Sequence, residues 1–187
     1  IAVDERHLVV LGGDAPATTF RHAALFRVLH DSQHLLVSAQ LFAPDFDFAE
    51  AETRLYNASS IEVRVGGTWI CATRGGDGKL FIGGNGSRDD AAMPNRITGA
   101  VHVRPAPASG PDRTMLRLDV APSQEAFFEL RIPLDLLPAD LGPQAPPVPF
   151  ALAFNAALQG PVKRLNCSFP ANYQWMDRAT WGRLRLG

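Results

Sequence analysis

Residues 172–187 carry the densest chemistry in this chain. Asn172, Tyr173, Gln174, Trp175 and Asp177 crowd together just before an alternating segment that starts at Trp181-Gly182. Trp181, Arg183 and Arg185 share one face of that segment, and Gly182, Leu184 and Leu186 share the other, which predicts a half-buried closing strand. An indole in a polar loop at a strand end is expected to be partly wet. A flat ring beside a side-chain amide suits a ligand with an apolar C–H face and a rim of hydroxyls, such as a sugar.

Other reactive side chains form no comparable group. The sequence has no G-x-S-x-G, no paired Cys and His signature and no phosphate loop. Gly75-Gly76-Asp77-Gly78-Lys79 precedes no helical pattern, so it reads as a turn. His30 and His34 flank a predicted hairpin turn, whereas their spacing suits a metal on a helix. His7, His22 and His102 have no partner motif. Nothing sets Asp45/Asp47 or Asp89/Asp90 across a cleft, as glycoside hydrolysis requires. The chain is expected to be non-catalytic.

At 187 residues the chain is expected to form a single domain over 1–187, large enough to bury a core without covalent staples. A formal net charge of -1 gives no electrostatic reason to bind nucleic acid or an anionic membrane. Arginine supplies all but two of the 18 basic residues, Lys79 and Lys163, which we read as genome base composition. No apolar run approaches the ~20 residues that span a bilayer. The start at Ile1 lacks signal-like segments, so a processed chain or a domain from a longer protein is expected. Cys71 and Cys167 lie in strand-like apolar segments and read as buried thiols. A disulfide between them requires neighbouring strands. Asn57, Asn85 and Asn166 each open a short Asn-x-Ser triplet.

The elements that must position these residues are short strands punctuated by Gly and Pro. Candidates are His7–Leu11, Ala24–His30, His34–Leu41, Ser60–Val65, Trp69–Thr73, Lys79–Ile82, Ile97–Val103, Thr114–Val120, Ala126–Ile132, Phe150–Leu158, Val162–Cys167 and Thr180–Leu186. Ile61, Val63 and Val65 alternate with Glu62 and Arg64, the mark of a strand with one buried face. Glu62 is thus expected on a solvated face, and Trp69 and Trp181 are read as core or rim residues. Asp31-Ser32-Gln33 and Gly75–Gly78 read as hairpin turns. Helical periodicity is limited to Phe48–Leu55 and a turn at Asp135–Ala139. The fold class is all-β: a two-sheet antiparallel β-sandwich, jelly-roll-like, with one or two short helical turns.

Four segments, in order, give a resemblance. Phe26–Val37 looks like a strand, a "D-x-x-x-L" turn and a strand; Ser60-Ile61-Glu62-Val63 looks like a "D-S-V-E" strand; Phe128–Leu137 looks like an "E-x-x-I-P" strand and turn. The fourth is Phe150–Asn155 with the Trp175…Trp181-Gly182…Leu184 ending. Together they make the chain similar, from about residue 24 onward, to family 9 carbohydrate-binding modules, within a wider sandwich superfamily that includes haem-binding domains.

The resemblance implies a sugar clamped between two aromatic rings, at Tyr56 and Trp175, with Asn172 and Glu62 as polar contacts. A family Arg falls near Phe81 and a family Gln near Ala153, so those two contacts are absent here. No cofactor is required; structural calcium is common in the family, and Asp45, Asp47, Glu50 and Glu52 are the acidic cluster available to it. The implied partner is an oligo- or polysaccharide. The implied setting is an accessory module of a longer secreted or envelope enzyme, covalently linked to its catalytic domain. One alternative is a structural or interaction domain that keeps the sandwich without the sugar site. Another is a haem-binding relative, using Met93, Met115 or Met176 with a His or Lys as axial pair.

Overall fold

The computed structural model describes residues 1–3, 8–10, 23–48, 55–85, 93–107, 123–138, 141–157, 164–170, 174 and 176–187. The strands are β1 (Ala2–Val3), β2 (Leu8–Val10), β3 (Ala23–His30), β4 (His34–Ala43), β5 (Ser60–Val65) and β6 (Thr68–Arg74). They continue as β7 (Leu80–Asn85), β8 (Thr98–Pro105), β9 (Gln124–Pro133), β10 (Val148–Ala157), β11 (Arg164–Phe169) and β12 (Gly182–Leu184). The one α-helix among the described residues, α1 (Met93–Arg96), is a single turn, and no described helix is long and apolar enough to cross a membrane.

The strands form two antiparallel sheets. The first runs β1-β3-β4-β9-β8 and the second β2-β11-β10-β5-β6-β7, with β12 pairing on β10 beyond the end of β11. Period-two alternation assigns the faces. Phe26, Leu35, Leu41, Phe128 and Ile132 of the first sheet meet Ile61, Ile70, Leu152 and Phe154 of the second, all essentially without solvent contact. Each such side chain contributes roughly 1.5–3 kcal/mol by leaving water.

Turn chemistry sets the register. The Asp31 carboxylate accepts the backbone N–H groups of Gln33 and His34, both at 2.7 Å, and closes the β3–β4 hairpin. The Gly75–Gly78 segment is a hairpin turn, with the Gly75 N–H donating to the Lys79 carbonyl at 2.8 Å. Expected strands appear close to their predicted bounds, except that Thr114–Val120 lies outside the described residues. The predicted Thr180–Leu186 strand is shorter: Arg178–Thr180 is a 3-10 turn capped by Asp177, whose carboxylate accepts the Ala179 N–H at 3.0 Å. Of the expected helical turns, the one at Asp135–Ala139 corresponds to a 3-10 turn at Leu134–Leu136, whereas Phe48–Leu55 lies mostly outside the described residues and a 3-10 turn follows it at Leu55–Asn57.

No disulfide joins the cysteines. Cys167 points between the sheets, whereas Cys71 lies on the outer face of its sheet with β10 and β5 between their strands. Three strand spacings of about 4.8 Å exceed the reach of an S–S bridge. Asn166 is only 7% exposed, which removes its triplet from surface chemistry in the folded state.

The outer face of the first sheet holds one buried carboxylate, Glu125. Gln40 donates to it at 3.0 Å, and the more exposed Arg104 pairs with its other oxygen while stacking on Phe127.

Candidate functional site

The outer face of the second sheet is polar yet buried. Inward residues Ile61, Val63, Phe150, Leu152, Phe154 and Cys167 leave Ser60, Glu62, Asn155, Asn166 and Ser168 pointing away from the core, and none of these five exceeds 7% exposure. Polar side chains on the outside of a sheet normally sit in water. Here they must find partners in the protein.

They do so around Glu62. Asn155, its diagonal neighbour across β5–β10, donates to Oε1 of Glu62 at 2.8 Å and to the Ser60 hydroxyl at 3.3 Å. Asn166 donates to the Asn155 carbonyl oxygen at 2.8 Å. On the other side, Arg64 donates to Oε2 of Glu62 through Nη2 at 2.8 Å and Nε at 3.2 Å. The Trp69 indole N–H reaches the same oxygen at 3.0 Å. Among the described residues, Oε2 thereby takes three donors and Oε1 one, which stabilises a charge held away from water. The solvated face expected for Glu62 is corrected: it is 7% exposed because its neighbours roof it.

The β5–β6 hairpin holds Glu62, Arg64 and Trp69 in this arrangement. Its turn is Gly66-Gly67, with Gly66 at φ +59. A Cβ there would stand 2.4 Å from the Pro138 ring, so only glycine fits both the left-handed backbone and the contact. The Gly66 N–H donates to the Pro149 carbonyl at 2.7 Å and ties the turn to β10.

Two indoles flank the row. Trp69, read from sequence as a core or rim residue, stands half-buried on the outer face of the sheet. Trp181 is buried as expected, but outside the core: it packs on Ala151 of the outer face. The Arg64 guanidinium carbon lies 5.1 Å from the Trp69 ring centroid and 5.8 Å from that of Trp181. The Trp181 indole N–H donates to the Gln174 carbonyl at 2.9 Å, and the Thr180 hydroxyl accepts the Gln174 backbone N–H at 2.8 Å. Both hold the backbone immediately before Trp175.

Of the four implied sugar contacts, Tyr56, Glu62, Asn172 and Trp175, Glu62 is the one whose side chain is described. Tyr56 lies in the Leu55–Asn57 turn, next to the start of β5, but its side chain is outside the described residues, as are Asn172 and Trp175. Phe81 of β7 pairs with Thr73 of β6, and Ala153 of β10 pairs with both Glu62 and Ser168. The missing Gln thus leaves a small residue beside the carboxylate. Glu50 and Glu52 of the acidic cluster lie outside the described residues, and no group of three His, Cys, Asp or Glu side chains among those described is placed to hold a metal ion. Met176 is 75% exposed, while Met115 and the side chain of Met93 lie outside the described residues.

Sequence reasoning missed Arg64, Trp69, Asn155 and Asn166. The signal was available as alternation: Trp69 shares a face with Cys71 and Thr73, and Asn155 follows Ala151 and Ala153 on the face opposite Phe150, Leu152 and Phe154.

No family model and no curated protein matches this chain. Solved structures do. A family 9 carbohydrate-binding module from Caldicellulosiruptor kristjanssonii in complex with glucose superposes at TM-score 0.56 and 15% identity, covering 96% of this chain and 91% of its own. A module of the same family and organism in complex with cellotriose gives 0.57 and 14%, covering 98% and 80%. A candidate carbohydrate-binding protein from Bacteroides uniformis gives 0.56 and 12%, covering 100% and 85%. The chain therefore has the fold of a family 9 carbohydrate-binding module.

Proposed function

We propose that this chain is a non-catalytic carbohydrate-binding domain that takes its ligand on the outer face of the second sheet. The observation that carries the reading is the roofed polar row Ser60–Glu62–Asn155–Asn166 with indoles at its side. A sugar needs an apolar plate for its C–H face and fixed hydrogen-bonding groups for its hydroxyls, and this face offers both. The fold shared with modules solved in complex with glucose and cellotriose supports the same reading.

In this reading Tyr56 and Trp175 are the clamping rings, Asn172 meets a hydroxyl, and Glu62 is the anchor of the row. Among the described residues, Oε2 of Glu62 already takes three protein donors and Oε1 takes one, so a sugar hydroxyl meets Glu62 at Oε1 or displaces a donor from Oε2. An aromatic plate contributes roughly 25 cal/mol per Å² of apolar surface it covers. Each hydroxyl adds about 1 kcal/mol net. Binding of order micromolar to millimolar follows, toward the weak end because Phe81 and Ala153 replace polar contacts. The partner is an oligo- or polysaccharide. Residues 1–187 act as one unit, an accessory module of a larger secreted or envelope carbohydrate-active protein.

A glycan array tests this: hits confined to one saccharide class support it, and a blank array contradicts it. One observation favours a second reading. Because Glu62, Asn155 and Asn166 are each no more than 7% exposed, the row also suits an interaction domain that keeps the sandwich without a sugar site.

A further inference from the structure

Two clusters far apart in sequence meet at Arg64. One is the polar row on Glu62. The other is the turn from Gln174 to Trp181 that brackets Trp175. The Arg64 side chain is only 14% exposed and takes part in both. It donates twice to Glu62 and lies over the rings of Trp69 and Trp181. The Gln174 carbonyl then accepts both the Trp181 indole N–H at 2.9 Å and the Asp177 backbone N–H at 3.0 Å. Contacts run unbroken from Asn166 through Asn155, Glu62, Arg64 and Trp181 to the residue before Trp175.

From this continuity we infer that Arg64 is a positioning residue: acting through Trp181, it fixes the turn around Trp175 relative to the polar row. The inference rests on the carbohydrate-binding reading for its purpose, since ring-to-row spacing decides which sugar fits, but not for its geometry. The side-chain type matters. A planar guanidinium stacks on an indole and forks onto a carboxylate at once, whereas a lysine ammonium supplies charge without the plane. Gln174 and residues 176–179 are exposed, so few buried contacts oppose local opening.

Backbone amide hydrogen exchange on the ligand-free chain tests this with Arg64→Lys and Trp181→Phe. Trp181→Phe keeps a smaller ring under Arg64 and removes the N–H to Gln174, so it breaks the same chain of contacts if Arg64→Lys does not fold. We expect amides of residues 177–181 to exchange about tenfold faster in both variants, with β4 and β9 unchanged. Unaltered exchange in the turn overturns the inference. So does an acceleration spread equally over β4 and β9, since Arg64 would then be a general stabiliser. A parallel titration with cellotriose as probe should show about tenfold weaker binding for Arg64→Lys. If the unmodified chain binds no saccharide, the carbohydrate reading fails while the exchange result still decides the positioning role.

Discussion

Asn155 donates a side-chain hydrogen to the Glu62 carboxylate at 2.8 Å, across two neighbouring strands of the second sheet and 93 residues apart in sequence. Neither residue faces the sandwich core, yet both are buried. Asn155→Ala leaves one oxygen of Glu62 and the amide of Asn166 without their partner. Each orphaned group costs about 1–3 kcal/mol. Chemical denaturation should therefore show a loss of ~2–6 kcal/mol. A double-mutant cycle with Glu62→Gln should return a coupling of ~0.5–3 kcal/mol. Additive effects would mean that the contact carries no energy.

Trp175→Ala is expected to abolish binding to a responsive sugar and to leave the melting temperature nearly unchanged, because a clamping ring gives its contacts to the ligand and not to the core. Tyr56→Ala should weaken the same binding. Isothermal titration reads both. An unaltered affinity for Trp175→Ala would remove it from the site.

The opposite sheet supplies a control. Glu125 is fully buried on its outer face between Gln40 and Arg104. Glu125→Ala strands the Gln40 amide and should cost ~1–3 kcal/mol in urea unfolding. Saccharide affinity measured below the unfolding transition should not move. A parallel loss of affinity would place the ligand on the wrong sheet for this account.

Acid should act through Asp31. The Gln33 and His34 backbone N–H groups and the nearby His34 ring hold its carboxyl below the ordinary carboxylate value. A depressed folded value gives stability that is complete above the unfolded value, near pH 4, and fades as pH drops through the folded value. Asp31→Asn keeps the turn's acceptor oxygen and discards the charge. Its melting temperature should fall less steeply than the parent's below about pH 4. Parallel curves would show that Asp31 takes no part in the acid response.

The fold was legible because its rules are local. Alternation in Ile61-Glu62-Val63-Arg64-Val65 and the turn chemistry of Asp31 and of Gly75–Gly78 specify strands and hairpins without knowledge of distant partners. The site was only half legible. Alternation gives the face on which Glu62 lies, but not that Asn155 and Trp69 close over it, because burial of a polar residue depends on which strands become neighbours. Trp181 misled for a related reason. It is buried, as a tryptophan beside alternating leucines should be, but against Ala151 on the outer face. Sequence period reports facing, not which layer of the molecule covers that face.

The central claim is that saccharide binds on the outer face of the second sheet. The most direct test is a titration of isotope-labelled protein with cello-oligosaccharides and a wider glycan panel, followed by amide and indole NMR shifts. The account predicts saturable shifts concentrated at Tyr56, Glu62, Trp69, Asn155 and residues 172–181. Shifts centred on Glu125 and β8–β9, or none with any saccharide, would contradict it.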